Sequence, residues 1–535
     1  MNEKKLTYLD SLEFGDLAIF CGAGISKNSG LPLADELKQS ILEQLLIDNK
    51  DIDEIMSSNL PFESFIETIS EHIDITRILE IFQNGEANTN HILIARLSKN
   101  GYLKTICTTN FDLLIERALE SEGLKRGKDF EVYSEGEQFS EINFENIPEI
   151  IRIFKIHGSA DNTKSILTTL KAVSSKALSE KRRDVIRYLF STGRHSKVLI
   201  LGYSCSDEFD ITHQIQSIEE NQKEILFIEH CNEVEGIEDV RIREQKNPFK
   251  KFHGKRVKCN TDNFIEDLWN SFKRTIGKYK PIESKVDWKL YIDDFIRVLK
   301  ENKECFQYAI VGVTFRSISN FVKAIEYYEK ALHIAQSTGD KEEELRNYGN
   351  IGNAYMRMGD FKQSLRYFSE CLEISNEIGD KVVESACYLV VGTLYNRKGE
   401  FQKTVEYYKE SLKTFEKLGD RSGIAASYKG LGNAYKRVGD FEKAIEQYEK
   451  ALKIDKGIEA KIDQSDCYMS LGDVYYNIGY FEKAIEHYLK AEKFLHETGT
   501  IHYLEQVYRD LSLVYEKIGG EYKRPCWFSL KENGR

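Results

Sequence analysis

The chain has 535 residues, 41% of them hydrophobic and 30% charged, with a formal net charge of −12. That length accommodates about three domain-sized units, and the acidic balance excludes a nucleic-acid binder working through a global basic field. No apolar run of about 18 residues is present to cross a membrane, the opening MNEKKLTYLDSLEFGD lacks the apolar core of a secretory signal, and ten cysteines without a C-x-x-C pair read as reduced thiols of a cytoplasmic protein, with no metal site.

The first predicted element is the apolar run LAIFC, of strand length, which stops at Gly22, Ala23, Gly24, Ile25 and Ser26. Gly30 and Pro32 follow, and then a helical pattern. A backbone this bare lets phosphates approach, and the helix behind it offers free N–H groups and a positive dipole end. The pattern is not G-x-G-x-x-G, so an ordinary dehydrogenase fingerprint is excluded. Next, LKTICTTN delivers Asn110 and Asp112 ahead of a helix, and IIRIFKIHGS delivers His157 and Gly158. SSKALSEKRRDVIRYLF reads as a helix. KVLILGYS ends in Gly202 and Ser204, with Asp207 just beyond. ILFIEH carries Glu229, and VKCNTDNFIEDL ends a last strand at Thr261 and Asp262. Continuously apolar strands alternating with helices predict a parallel sheet covered on both faces, an α/β Rossmann-like domain over residues 1–280. Ligands of such sheets bind at the carboxyl ends of the strands, where every one of these polar groups falls. Residues 281–300 read as a connecting helical segment.

From there the rules change. All six prolines lie before residue 282 or after 524, as long continuous helices require. Blocks beginning at Phe321, Phe361, Phe401, Phe441 and Phe481 repeat with a period of 40 residues. Each carries a small residue (Ala324, Ser364, Thr404, Ala444, Ala484) and a buried-type aromatic (Tyr328, Phe368, Tyr408, Tyr448, Tyr488). Gly359, Gly399, Gly439 and Gly479 stand where a helix ends in a left-handed residue, and Asp360 and Asp440 fit as caps of the next one. The pattern resembles the tetratricopeptide repeat in a 40-residue form over residues 301–520, an all-α superhelix. Residues 521–535 depart from it and read as a cap or tail. The resemblance implies a protein or peptide partner in a concave groove. Asn353 and Asn433 match the family's groove asparagine, while Val313, Thr393, Asp473 and Leu513 hold the equivalent places, so a full clamp is absent.

The ordered set GAGIS, SG-x-P, T-x-N-x-D, HG and G-x-S over residues 10–275 resembles the sirtuin family, in the branch found in bacterial defence proteins. The resemblance implies NAD as substrate and cleavage of the bond between nicotinamide and ribose. Gly22, Ala23, Gly24 and Ser26 match the turn that holds the NAD phosphates and ribose. Asn110 matches the asparagine that positions the nucleophilic water or ribose hydroxyls, Asp112 the acid that holds the carboxamide, and His157 the catalytic histidine. Gly202, Ser204 and Asp207 match the adenosine-side strand end, and Asp262 lies near adenine. Glu229 stands where the family often has a ribose-binding asparagine, and a carboxylate there would disfavour NADP. Two departures matter. The stretch from Ser159 to Lys197 has no cysteine, so the zinc lobe of protein-deacylating sirtuins is missing, and P-x-F-R after the glycine turn is replaced by Pro32, Leu33, Ala34 and Asp35.

The expectation is therefore an NAD+ hydrolase without a metal, releasing nicotinamide and ADP-ribose under the control of a repeat sensor. Family resemblance implies antiphage defence by NAD depletion, a phage protein as one trigger, and a homo-oligomer, with neither nucleic acid nor membrane as partner. The alternatives are a deacylase or ADP-ribosyltransferase recruited by the repeats, a non-catalytic NAD or ADP-ribose sensor, or an adaptor whose enzyme domain only mediates assembly.

Overall fold

Strands that are apolar at every position must be covered on both faces, and β1 (Leu17–Cys21) shows how. Leu17, Ile19 and Cys21 join one buried apolar cluster, while Ala18 and Phe20 join the other, on the opposite side of the sheet. The remaining strands are β2 (Leu103–Thr108), β3 (Phe130–Tyr133), β4 (Ile151–Lys155), β5 (Lys197–Leu201), β6 (Glu224–His230), β7 (Gly236–Asp239) and β8 (His253–Cys259). The computed structural model describes residues 17–519 apart from 59, 71–74, 136–137, 140, 145–149, 163–164, 167–179, 206–210, 220–221, 233–235, 242–246, 283, 302–303, 459 and 499.

The sheet runs β3-β4-β2-β1-β5-β6-β8-β7, parallel throughout except for the antiparallel β7. β2 and β4 lie to one side of β1, and β5, β6 and β8 to the other. The order therefore reverses between β1 and β5, where open α/β sheets hold their ligands. The six long strands are those expected from the sequence. β3 and β7 are the additions: FEVY and GIED are four residues each, too short to stand out as apolar runs.

Between β1 and β2 the chain inserts α1 (Ala34–Leu42), α2 (Asn49–Ser57), α3 (Phe62–Ser70), α4 (Thr76–Ile81) and α5 (Thr89–Lys99), and β2 is followed by α6 (Leu114–Ser121). Of the helix expected across residues 174–190, Glu180–Arg187 is helical and continues into a wider turn at Tyr188–Thr192, with the part before residue 180 outside the described residues. The first compact unit is Met1–Lys303. Residues just past 280 lie on it: the Ile282 amide donates to Thr89 Oγ1 (2.8 Å) and the Ser284 hydroxyl to Glu86 (3.1 Å).

The second unit, Glu304–Arg535, is all helix among its described residues, from Glu304–Ser317 to Ile501–Lys517. Its helices close on left-handed glycines every 20 or 40 residues, Gly359, Gly399, Gly439 and Gly479 among them. Asp340, Asp360, Asp380, Asp420 and Asp440 each accept a backbone N–H of the following helix. Glu400 and Ala460 occupy the same place without such a bond. The small residues pack where expected: Ala324, Ser364, Thr404, Ala444 and Ala484 are completely buried. At the groove-asparagine place, Asn433 accepts the Tyr448 hydroxyl (2.6 Å), Asp473 accepts that of Tyr488 (2.8 Å), and Thr393 bonds with Tyr408 (3.0 Å). Asn433 is thus partly spent inside its own repeat.

Candidate active site

β1 and β5 meet glycine on glycine. The Gly22 amide donates to Leu201 O (3.0 Å) and the Gly24 amide to Gly202 O (2.9 Å). A Cβ on Gly22 would stand 2.5 Å from Gly202 O, and one on Gly202, whose φ is +64°, would stand 2.5 Å from the Ile25 amide nitrogen. The close approach of the two strand ends thus by itself demands these glycines. Ala23 remains exposed at the tip of the turn.

Behind the turn, Ser26 points across to β2. Its hydroxyl donates to Asp112 Oδ2 (2.8 Å), and the Asn110 amide donates to both Ser26 Oγ (3.1 Å) and Asp112 Oδ2 (3.2 Å). Asp112 Oδ1 accepts the Leu114 amide (3.1 Å) at the start of α6. Asp112 is 5% exposed and Asn110 6%. Lys155, buried on β4, donates to the Asp112 carbonyl and pairs with Glu116 (2.9 Å), which fixes the loop from the other side. Asp112 is therefore engaged by Ser26, Asn110 and a helix amide. Asn110 Oδ1 is buried, and among the described residues no donor reaches it. A buried acceptor without a partner is costly, and here it lies at a strand end beside the topological switch.

The fourth member of the cluster is His91, on α5, which the sequence reading missed. Asn88 caps α5 and accepts the His91 amide, while His91 Nδ1 accepts the Asn88 amide (3.3 Å). That leaves the ring proton on Nε2, which donates to Ser26 Oγ (3.2 Å). Complete burial pushes His91 down to about 4, with the charge of Asp112 opposing only in part. Serine, histidine and aspartate are gathered, but in the wrong order for a nucleophilic triad: the histidine donates to the serine, and the carboxylate holds the serine directly. The local signal was Asn88 followed three residues later by His91, a reciprocal cap.

His157 follows β4, the neighbour of β2, and the two loops are tied by the Ile156 amide on Thr108 O (2.9 Å) and the Ala160 amide on Phe111 O (2.8 Å). His157 is buried, and its ring lies 6.3 Å from the Phe111 ring, centre to centre. Its Nδ1 lies 3.3 Å from Glu63 Oε1, on α3. Burial disfavours charge on Glu63, yet the hydrogen bond and charge of His157, helped by Lys38, win and hold that carboxyl below its ordinary range. No sequence signal pointed to Glu63: it lies in the first turn of a short helix 94 residues before His157.

The other predicted residues spread along the same edge. Gly202 sits against the glycine turn, and Ser204 is exposed beyond it; Asp207 lies outside the described residues. Glu229, at the end of β6, takes a two-pronged bond from Arg256 on β8 (2.9 and 3.0 Å). Asp262 is exposed in the first turn of the helix Thr261–Ser271, whose N-terminus Asn260 caps. The structure thus brings Ser26, Asn110 and Asp112 into one hydrogen-bonded cluster and holds His157 on the adjoining loop, with Glu229 and Asp262 two and three strands away from β1.

The comparisons agree with this division. Residues 104–247 match the SIR2-like domain, and residues 307–377, 384–457 and 465–494 match the tetratricopeptide repeat. No curated protein matches the chain. Among solved structures, the chain is similar to BtubC (BKLC) from P. vanneervenii, at 23% identity over 44% of this chain and 88% of that one, with a TM-score of 0.31. It is also similar to a Rap protein complexed with competence and sporulation factor (18%, 48% and 82%, TM-score 0.36) and to aspartyl phosphate phosphatase F from Bacillus subtilis (18%, 47% and 67%, TM-score 0.38).

Proposed function

From a chain that joins a SIR2-like domain to tetratricopeptide repeats, we propose an NAD+ glycohydrolase that yields nicotinamide and ADP-ribose. The observation that carries this reading is Asn110 Oδ1, a buried acceptor that no donor reaches among the described residues, on the loop adjoining that of His157. In the proposed reaction the bond from ribose C1′ to the nicotinamide nitrogen breaks, and its electron pair neutralises the cationic ring, so the leaving group needs no proton. Asn110 Oδ1 accepts one hydrogen of a water molecule and aims its oxygen at C1′. His157 takes the proton that the water gives up as the new bond forms and passes it to solvent. Ser26, Asp112 and His91 hold Asn110 in place, and Gly22, Ala23, Gly24, Gly202 and Ser204 form the floor for the phosphates and adenosine ribose.

The repeats serve as the sensor in this reading. A cytoplasmic NAD+ hydrolase must be held silent until needed, and a helical array that binds a protein trigger supplies that control. Depletion of NAD+ on phage infection is the biological role we assign, with self-association as part of the active state. The deciding test is nicotinamide and ADP-ribose release by the purified full chain, with NAD+ levels followed in infected cells that express it. Asn110→Ala and His157→Ala should abolish both signals. Turnover that survives in both variants removes the site assignment; NAD+ that binds yet is never cleaved, even in infected cells, turns the reading to a sensor.

A further inference from the structure

Glu63 belongs to no motif of the sequence, yet it is the carboxylate that reaches His157. The contact links the helical insertion after β1 to the loop after β4, and both side chains are largely buried, at 5% exposure for His157 and 19% for Glu63. The charge of Lys38, on α1, also acts on Glu63. Its ammonium, 3% exposed, donates to Leu60 O (3.3 Å) and pairs with Asp35 (3.2 Å).

We propose that Glu63 is the positioning residue of the site: it holds the proton of His157 on Nδ1, turns the ring, and leaves Nε2 as the nitrogen that accepts a proton. A neutral imidazole has one N–H, and the partner of that N–H decides which nitrogen is basic. A carboxylate partner also stabilises the imidazolium formed when the proton arrives. The hydrogen bond with His157, helped by Lys38, keeps Glu63 ionised, so the Glu63–His157 pair carries one negative charge before proton uptake and none after it. The insertion α1–α3 thus helps to tune the base.

The inference rests on His157 as the general base of the proposed reaction, and the test separates the two. The imidazole of His157 is titrated by NMR in the full chain labelled at histidine, with the signal identified by its loss in His157→Ala. Wild type should show the proton on Nδ1 when neutral. In Glu63→Gln, which keeps the shape and an acceptor oxygen but loses the charge, the midpoint should fall by about one pH unit. Glu63→Asp should restore part of the difference. Equal midpoints in wild type and Glu63→Gln overturn the proposal, whatever the chain does to NAD+. Where turnover is measured, the acidic limb of kcat should move down by the same interval in Glu63→Gln and the plateau should drop about tenfold with KM little changed. A rise in KM alone, with the limb unmoved, assigns Glu63 to binding and also overturns it.

Discussion

His91 offers the clearest test at the scale of a residue. Its folded value of about 4 lies below the ordinary range near 6.5, so protons prefer the unfolded chain. Above pH 6.5 the group is neutral in both states and contributes nothing pH-dependent. As the pH falls from 6.5 to 4 the unfolded state takes up a proton that the folded state refuses, and stability drops. Denaturant unfolding of His91→Gln against wild type should show a constant difference above pH 6.5, then a drift of about 3 kcal/mol in the variant's favour by pH 4. His91→Phe, which carries no ring N–H, should slow the proposed reaction at neutral pH, because Ser26 loses the donor that His91 Nε2 supplies. Gly202 is a second residue-scale case. Gly202→Ala places a Cβ at φ +64° and 2.5 Å from a backbone nitrogen, and should cost at least about 2 kcal/mol in a denaturant titration.

Elements explain what the sequence displayed and what it hid. The strands β1 and β5 were legible because they are buried on both faces and so almost wholly apolar, and β2, β4, β6 and β8 because each keeps a shorter buried stretch. The groups at their ends, Asn110, Asp112, His157 and Gly202, were legible because a strand end is local in sequence. Glu63 and His91 were not. They arrive on α3 and α5, helices whose positions depend on packing against the sheet, 94 and 65 residues from His157 and Ser26. The glycines of the first turn were seen as a phosphate floor, whereas the contact between β1 and β5 is reason enough for Gly22, Gly24 and Gly202. The tie between β4 and α6 carries its own prediction. Lys155 is wholly buried, and Lys155→Met leaves Glu116 a buried charge without its partner. It should cost about 3–5 kcal/mol by chemical denaturation, while the double variant with Glu116→Leu should recover most of the loss.

At the scale of the whole molecule, two units with separate cores should unfold separately. Calorimetry of the full chain should resolve two transitions, and residues 304–535 alone should reproduce one of them. In the proposed reading, deletion of that unit should alter when NAD+ is cleaved and leave the products unchanged; new products would overturn the assignment of the repeats as a sensor alone. The 40-residue period was legible across the array because every repeat meets the same neighbours. The chemistry inside the groove was less so, since the hydroxyls of Tyr408, Tyr448 and Tyr488 occupy Thr393, Asn433 and Asp473 from within.

The row of aspartate caps has a consequence of its own. A helix that begins on Asp380, which accepts two backbone amides, starts with its first turn secured, and Asp380→Ala should cost about 1 kcal/mol. At Glu400 and Ala460 the next helix starts with those amides left to water. Stacked repeats bear load in series, so an array stretched between its ends parts where a first turn is unsecured. A tug from either end would then be felt as a step at Ala460 or Glu400, and Ala460→Asp should erase the first of these. Where the caps between helices are made and where they are missing should therefore set where this array first gives way under tension, which single-molecule stretching of wild type against Ala460→Asp would read.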